Sequence, residues 1–244
     1  EIMKVCVNGY GTIGKRIADA VSTHPKLELI GVSKFTPDND AKMAGSLGFT
    51  VYANDKESFE KKGIPIKGTV EEMIDSSDII IDASSDGNGV KNKAIYEEKN
   101  KPAIFQGGEE DTIGDSFNAR SNFDSVKGKS SIRVVSCNTT SFCRVLKPLQ
   151  EAFSIKKANA FLIRRGSDPN DKKGSAINSV EWETNSHHAH DVNTVMEIPM
   201  TSFAFKVPHT LSHINSLSLE FEKAPTKEEV IDVLKKESRI ILAN

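Results

Sequence analysis

A glycine-rich turn near the N-terminus restricts the fold of this chain more than any other feature of its sequence. The turn, Gly9-Tyr10-Gly11-Thr12-Ile13-Gly14, joins an apolar run at residues 3–8 to an amphipathic pattern at residues 13–22. In a strand–turn–helix unit with this spacing, the first glycine permits the tight turn, the second admits a pyrophosphate, and the third lets helix and strand pack closely. The turn predicts a dinucleotide site with the phosphates at the helix N-terminus; a purely structural turn is the alternative.

The remainder of the first half alternates strand and helix patterns, as expected for a parallel sheet with helices on both faces. Further strands are predicted at residues 27–32, 78–83, 103–105 and 132–135, and helices at residues 38–48, 69–75 and 88–99. Thr69, with Glu72 three positions later, is a capping-box pattern for the second of these helices.

The second half has longer β patterns. Strands are predicted at residues 159–164, 196–207, 214–221 and 240–242, and a helix at residues 226–236 that Thr226 and Glu229 would cap. A single loop separates residues 196–207 from 214–221, which predicts antiparallel pairing between these two strands. We therefore predict an α/β chain, with a Rossmann doubly wound parallel sheet over residues 1–138 and an α+β catalytic domain with a mixed or antiparallel sheet over residues 139–244.

The composition limits the classes of binding partner that we expect for this chain. Charged residues make up 27% of the 244 residues and the net charge is −2, so there is no overall electrostatic case for nucleic acid or an anionic membrane. No apolar run is long enough to span a bilayer, and the N-terminus enters a strand without a signal-peptide pattern. Three widely spaced cysteines form neither a disulfide framework nor a zinc pattern, which predicts a cytoplasmic protein.

The residues that follow the second predicted strand bear on the choice of dinucleotide. A site that prefers NAD usually places Asp or Glu there, to bind the ribose 2′-hydroxyl. This chain has Ser33-Lys34-Phe35-Thr36, and its first acidic residue is Asp38. Lys34 could pair with a 2′-phosphate, which favours NADP with NAD also accepted, whereas a solvated lysine at a strand end is the alternative.

One cysteine has the setting of a reactive thiol. Cys137 lies in Ser136-Cys137-Asn138-Thr139-Thr140, between an apolar run and a helical pattern at residues 141–153. A helix start favours negative charge and hence a thiolate. Cys6 lies inside the first predicted strand and Cys143 inside the helix, so both are expected to be buried. An activated thiol together with a dinucleotide predicts an aldehyde dehydrogenase that works through a thioester.

Such a reaction needs a base and, if phosphate attacks the thioester, an anion site. The candidate bases are His187, His188, His190, His209 and His213, and spacing alone does not choose among them. Arg164 and Arg165 end a predicted strand and could bind phosphate, or they could be two surface arginines. A zinc site at residues 186–191 is a further alternative, although adjacent histidines make poor tetrahedral geometry.

Five segments occur together in the order found in one family. They are residues 8–16, 105–109 (Phe-Gln-Gly-Gly-Glu), 136–140, 164–169 (Arg-Arg-Gly-Ser-Asp-Pro) and 186–188. With these segments the chain resembles the archaeal-type glyceraldehyde-3-phosphate dehydrogenases from Met3 to its end. The resemblance implies a phosphorylating oxidation of D-glyceraldehyde 3-phosphate in glycolysis and gluconeogenesis, with NADP or NAD as cofactor and glyceraldehyde 3-phosphate and inorganic phosphate as substrates. It also implies a homo-oligomer, which is usually a homotetramer.

The resemblance also assigns roles to individual residues. Cys137 corresponds to the nucleophile, and His213 to the base, because residues 208–213 match the family's Pro-Thr-Thr-Leu-x-His segment with His209 in place of the first threonine. Lys34 matches a lysine typical of the archaeal branch. The implied cofactor site also contains the glycine turn and Gly108, and the implied substrate and phosphate site contains Ser136, Asn138, Thr139, Thr140, Arg164, Arg165, His187 and His188.

Two departures from the family keep other functions open. The loop at residues 82–87 lacks a proline that the family commonly carries, and family members continue well past Asn244 with a helix that returns to the cofactor domain. We therefore expect a form of the enzyme that is incomplete at its C-terminus. The alternatives are a related semialdehyde or acyl-phosphate dehydrogenase, and an inactive cofactor-binding protein.

Overall fold

The computed structural model describes residues 2–85, 87–106, 108–166, 186–208 and 212–243. Ser167, Asp168 and Pro169 of the family segment lie outside the described residues, as do His209, Asp86 and Gly107. The chain divides into two compact units. The first contains the residues up to Ser116 together with Val126–Val134, and the second contains Phe117–Ser125 and the residues from Val135 onward. The domain boundary near Asn138 stays a prediction.

The first unit contains a seven-stranded sheet. Its elements, in chain order, are β1 (Met3–Asn8), α1 (Thr12–Ser22), β2 (Leu27–Ser33), α2 (Asn39–Ser46), β3 (Val51–Tyr52), α3 (Lys56–Lys61), α4 (Val70–Asp75), β4 (Ile79–Asp82), α5 (Asn88–Glu98), β5 (Ala103–Phe105), β6 (Asp115–Phe117) and β7 (Ser131–Val134). The strand order is β3-β2-β1-β4-β5-β7-β6, and the pairings from β3 to β7 are parallel. This confirms the predicted Rossmann-type sheet.

The sheet of the first unit is covered on both faces. Cys6 and Val7 are successive residues of β1, so their side chains point to opposite faces. Val7 packs in a cluster with Ala18 of α1 and Ala41 of α2, whereas Cys6 packs in a second cluster with Met73 of α4. The two clusters therefore make the first unit a layered α/β/α structure. The elements β3, α3 and β6 were not predicted from the sequence, because they are too short to show a period.

The second unit is built on a three-stranded mixed sheet. It contains α6 (Cys137–Phe153), β8 (Ile155–Arg165), α7 (His187–Asn193), β9 (Met200–Val207), β10 (Ile214–Phe221) and α8 (Lys227–Leu234). The sheet order is β10-β8-β9, with β8 parallel to β9 and antiparallel to β10. The mixed sheet confirms the predicted fold class. Its core includes Phe142 and Leu146 of α6 and Leu162 of β8.

The structure corrects two predictions for this unit. The direct pairing of residues 196–207 with 214–221 is wrong, because β8 lies between β9 and β10. From Ala158 to Ile163 the eleven-residue β8 alternates buried and exposed positions, so one face of the strand is buried. A connection from β9 to β10 has to cross only this one strand, a distance of about 10 Å. The strand at residues 240–242 is also wrong, because these residues form no regular structure and the side chain of Ile241 is 95% exposed.

Both predicted capping boxes are present. The hydroxyl of Thr69 accepts a hydrogen bond from the backbone N–H of Glu72, whose carboxylate accepts one from the N–H of Thr69. Thr226 and Glu229 make the same pair of bonds at the start of α8. In the part of the chain that the structure describes, no helix combines the length and the hydropathy needed to cross a bilayer.

Candidate active site

The glycine turn of the first unit has the shape of a phosphate cradle. Gly9 has a φ of +107°, and a Cβ on it would lie 2.7 Å from the carbonyl carbon of Ala83. A Cβ on Gly14 would collide with the carbonyl oxygen of Gly9. A Cβ on Gly11, by contrast, would have no heavy atom within 4 Å, and Gly11 is the N-cap of α1. The turn is therefore closed where strand and helix pack and open at the helix N-terminus, so its residues fit a pyrophosphate.

The other residues of the turn contribute in different ways. The side chain of Tyr10 is buried in the first unit, and its backbone N–H donates to the carbonyl oxygen of Ser33. Thr12 and Ile13, the first two residues of α1, are exposed. Tyr10 can therefore meet a ligand only through its backbone, whereas Thr12 and Ile13 can also offer their side chains.

A buried hydrogen-bond network lies beneath the turn and was not predicted from the sequence. The hydroxyl of Ser33 accepts from the N–H of Gly9 at 2.8 Å and donates to the side-chain oxygen of Asn8 at 2.6 Å. The side chain of Asn8 in turn donates to the Tyr96 hydroxyl, which donates to Asp82. Burial and the carboxylate of Asp82 raise the pKa of Tyr96, so the hydroxyl stays a donor. The sequence feature that could have indicated this network is the polar residue at the end of each of three apolar strands.

Lys34 directly follows β2, but its ammonium group is not an open cation. The side chain is only 10% exposed, and Nζ lies 2.8 Å from a carboxylate oxygen of Asp38 and 4.0 Å from one of Asp40. Nζ also donates to the carbonyl oxygen of Tyr10 at 3.4 Å. Asp40 in turn pairs with Lys15 at 2.7 Å. The cation predicted from the sequence is thus part of a four-residue charge cluster.

The exposed Gly108 adopts a left-handed backbone conformation, with a φ of +86°. The next residue, Glu109, is buried, and its carboxylate accepts hydrogen bonds from the backbone N–H groups of Gly87 and Gly89 at the start of α5. Glu109 therefore ties the loop after β5 to α5 and holds Gly108 in place. From the sequence, Glu109 was recognised only as the last residue of the family segment at residues 105–109.

In the second unit, Cys137 is the first residue of α6. The helix starts one turn earlier than predicted, because the hydroxyl of Ser136 caps it by accepting from the N–H of Thr139 at 3.2 Å. Cys137 is exposed, whereas Cys6 and Cys143 are buried. Burial raises the pKa of both buried thiols to about 11. The helix start favours negative charge at the exposed thiol.

His213 lies beside this thiol. Its Nε2 is 3.5 Å from Sγ of Cys137, although 76 positions separate the two residues in the sequence. The backbone N–H of Arg165 donates to Nδ1 at 3.3 Å and orients the ring. The structure thus brings together the predicted nucleophile and the predicted base, within hydrogen-bonding distance in the absence of substrate.

The other described histidines have different environments. His188 is buried, with Nδ1 3.1 Å from the hydroxyl of Ser186. Burial, followed by the charges of His187 and Arg164, lowers the pKa of His188 to about 3, so its ring is neutral at physiological pH. His187 is exposed and its ring centroid is 3.9 Å from that of His188. His24 and His190 are exposed.

The predicted phosphate ligands lie in the same part of the second unit. Arg164 and Arg165 are the last residues of β8 and are half-buried. The ring of His187 lies beside that of His188, and Nε2 of His188 is 3.4 Å from the amide of Asn138, the residue after Cys137. The backbone N–H of Arg165 contacts His213, which contacts the thiol. These contacts bring the end of β8 and the start of α7 to the thiol, and we call Arg164, Arg165, His187 and His188 the basic group.

Two other predicted substrate residues are buried and support the helix start. Thr139 donates to the carboxylate of Asp191 at 2.5 Å, and the same carboxylate accepts from the N–H of Ser136. The amide of Asn138 lies 3.4 Å from Nε2 of His188, and its side-chain oxygen has no hydrogen-bond partner among the described residues. Asp191 was considered only as a zinc ligand in sequence analysis, although it anchors the segment that carries the thiol.

Thr140 and Ser136 are half-buried at the same helix start. Among the described residues, no group of three or more His, Cys, Asp or Glu side chains has an arrangement that could hold a metal ion. The arrangement of the second unit is therefore that of a thiol, an oriented imidazole and a group of cations, which can form a covalent adduct with a carbonyl and hold an anionic substrate.

Comparison with known proteins gives two family matches. The family described as "Glyceraldehyde 3-phosphate dehydrogenase, C-terminal domain" matches residues 136–244, and that described as "Dihydrodipicolinate reductase, N-terminus" matches residues 3–108. Curated relatives from Methanothermus fervidus and Methanococcoides burtonii, both named glyceraldehyde-3-phosphate dehydrogenase, are each 46% identical to this chain over 245 residues. A relative of the same name from Thermococcus kodakarensis is 45% identical over 246 residues. Each alignment covers 98% of this chain and 73% of the relative.

Proposed function

The chain belongs to the glyceraldehyde-3-phosphate dehydrogenase family, and we propose that it oxidises D-glyceraldehyde 3-phosphate to 1,3-bisphosphoglycerate through a thioester on Cys137. The observation that carries this proposal is the 3.5 Å contact between Sγ of Cys137 and Nε2 of His213 at the start of α6. A reactive thiol, an adjacent imidazole and cations for two phosphates are what this oxidation needs.

In the proposed mechanism, the thiolate of Cys137 attacks the aldehyde carbon and forms a hemithioacetal. His213 accepts the hydroxyl proton of this adduct at Nε2 while hydride leaves the same carbon, which converts the adduct to a thioester. When bound, the nicotinamide cofactor supplies the hydride acceptor. Inorganic phosphate then attacks the thioester carbon, the bond to Sγ breaks, and the acyl phosphate leaves.

The hydrogen bond from Arg165 affects which nitrogen of His213 carries the proton. A backbone N–H can only donate, so before substrate binds, the neutral ring carries its proton on Nε2 and donates it towards the sulfur. This arrangement favours a thiolate. To accept the hydroxyl proton at Nε2, the ring must first pass its Nε2 proton to solvent and take a proton from solvent at Nδ1. The contact with Arg165, already long at 3.3 Å, is given up in that exchange.

The anionic groups of the two substrates would be held by the basic group. We assign this role to Arg164, Arg165 and His187, which are half-buried or exposed and can meet a ligand. His188 is buried and neutral, so it would act in the same group mainly by supporting the ring of His187 and the amide of Asn138. Ser136 and Thr140 would line the edge of this site.

The first unit would bind the nicotinamide cofactor at the glycine turn and near Gly108. We propose that NADP is preferred and that NAD is also accepted, because Lys34 occupies the position at which a Rossmann site contacts the adenosine ribose. Replacing Lys34 with glutamine is expected to weaken NADPH binding by about 3- to 10-fold and to leave NADH binding within about twofold, since only NADPH carries a 2′-phosphate. Titration of each cofactor by its fluorescence on binding measures both constants, and an equal loss for both would contradict the proposal.

We also propose a cytoplasmic homo-oligomer, a tetramer as in the family. Free thiols at all three cysteines are suited to a reducing compartment. One face of the sheet in the second unit exposes large apolar side chains at Phe161, Phe203 and Ile214, and the rings of Phe161 and Phe203 are stacked with centroids 5.6 Å apart. An exposed apolar sheet face is characteristic of subunit interfaces.

Turnover tests the proposed function. With glyceraldehyde 3-phosphate, phosphate and NADP⁺, the chain is expected to form NADPH, to accept arsenate in place of phosphate, and to stop when both anions are omitted. Aspartate semialdehyde serves as the competing substrate, and a preference for it would favour the related semialdehyde dehydrogenase. Cofactor binding without turnover of either aldehyde would indicate an inactive cofactor-binding protein.

A further inference from the structure

The charge cluster after β2 bears on which dinucleotide the chain selects. It contains two lysines, Lys15 and Lys34, and two carboxylates, Asp38 and Asp40. Lys34 follows β2 directly, about 20 residues after the last glycine of the turn, where Rossmann sites recognise the 2′ position of the adenosine ribose. We propose that Asp38 and Asp40 determine cofactor specificity, by neutralising the two lysines and so weakening the preference for NADP over NAD. This inference rests on the proposed function only in that the first unit binds a nicotinamide dinucleotide.

Two of the three hydrogen-bond donors on the ammonium group of Lys34 are already used, by Asp38 and by the carbonyl of Tyr10. Its Nζ has three protons to donate and three oxygen atoms close by, at 2.8 Å on Asp38, 3.4 Å on the carbonyl of Tyr10 and 4.0 Å on Asp40. The side chain is 10% exposed, so the ammonium group cannot turn freely toward solvent. A 2′-phosphate that contacts Lys34 would therefore share the ammonium group with a carboxylate that is already bound.

Asp40 occupies a position between both lysines. It is the second residue of α2, and its carboxylate is 2.7 Å from Nζ of Lys15 and 4.0 Å from Nζ of Lys34. Lys15 belongs to the first turns of α1, the helix whose N-terminus the glycine turn opens. The only carboxylate that pairs with Lys15 in the described part of the chain is therefore also a neighbour of Lys34.

The carboxylate of Asp38 acts as a negative charge at neutral pH. Burial alone would raise the pKa of Asp38, but hydrogen bonds from Lys34 and from the N–H of Ala41 outweigh it and hold the pKa below its usual value. With two cations and two anions, the cluster has no net charge. A phosphate ester of about −1.5 to −2 charge at pH 7 would therefore meet two like charges as well as the lysines, whereas NAD adds no charge at this position.

Removal of a single carboxylate charge tests the inference. Asp40→Asn keeps the size of the side chain and removes the negative charge beside Lys15 and Lys34. We therefore expect NADPH to bind about 3- to 10-fold more tightly, with NADH binding unchanged within about twofold. Asp38→Asn is the second variant, because asparagine can still accept from the N–H of Ala41 and keep the cap of α2. The gain for NADPH is expected to shrink as salt is added.

Glu28→Gln is the matched control. It makes the same change in charge, but Glu28 lies near the amino end of β2, about 20 Å along the strand from Lys34. Dissociation constants of NADPH and NADH from calorimetry give the readout without any need for turnover. An unchanged ratio in both aspartate variants, or an equal gain for the two cofactors, would overturn the inference and leave the proposed function intact. If neither cofactor bound the wild-type chain, the proposed function would fail and the inference with it.

Discussion

Replacing Cys137 with serine is expected to abolish aldehyde oxidation, with kcat lower by a factor on the order of 10⁴ or more. The physical reason is that a serine hydroxyl remains protonated where a thiol at a helix N-terminus can ionise, so no hemithioacetal or thioester forms. Initial rates of NADPH formation measure the effect. The dissociation constant of the cofactor is expected to stay within about twofold, because Cys137 belongs to the second unit and the glycine turn to the first.

Alkylation provides a check on the identity of the thiol. In the wild-type chain, brief treatment with iodoacetamide at neutral pH is expected to modify Cys137 alone and to remove activity in the same proportion. Cys6 and Cys143 are buried and have a pKa of about 11, so only about one molecule in 10⁴ carries either thiolate at pH 7. Cys137→Ser should then take up no label under these conditions. Wild-type turnover in the serine variant would exclude Cys137 as the nucleophile.

Replacing His213 with asparagine is expected to slow hydride transfer by about 10²- to 10⁴-fold, the usual contribution of a positioned general base. The variant loses the group 3.5 Å from Sγ that accepts the hydroxyl proton of the hemithioacetal. Thiol alkylation should remain possible, since Sγ stays exposed. A substrate deuterated at the aldehyde carbon should show a larger isotope effect on kcat in this variant, because the hydride step becomes rate-limiting.

Two other histidines serve as controls for this experiment. His190→Asn makes the same substitution at an exposed position in the last turn of α7, and is expected to leave kcat within about twofold. His188→Asn tests the competing hypothesis that His188 is the base. The neutral, buried ring of His188 has a pKa of about 3, so its loss should disturb folding or substrate affinity more than the isotope effect. If His188→Asn, and not His213→Asn, raised the isotope effect, the base would be His188.

Local patterns predicted the regular structure well where they were long. The strand at Met3–Asn8, the turn and helix that follow it, and both capping boxes are where residue periodicity and polar caps place them. The same patterns failed at two places in the second unit. The order β10-β8-β9 depends on which strand pairs along both of its edges. Residues 240–242 are apolar, but among the described residues they pair with no strand. Strand pairing is a long-range property that periodicity does not contain.

For the candidate site, residue types were predictable and their environments were not. Cys137 could be singled out because the other two cysteines fall inside regular elements. His213 could be chosen from the residues only with the help of the family resemblance, since five histidines had equal claims. The roles of Asp191 and Glu109, both buried carboxylates that accept backbone N–H groups, had no local signal, because their partners are 55 and about 20 residues away.

The sequence by itself determined most of the longer elements of this protein and the chemical groups it can use. A glycine turn between a strand and a helix requires close backbone packing, and a serine before Cys137 can cap a helix, because these are interactions between near neighbours in the chain. Only the tertiary structure decided which groups meet. The placement of His213 beside Cys137 and the pairing of Lys15 with Asp40 depend on how strands and helices pack, and that packing sets both distance and burial.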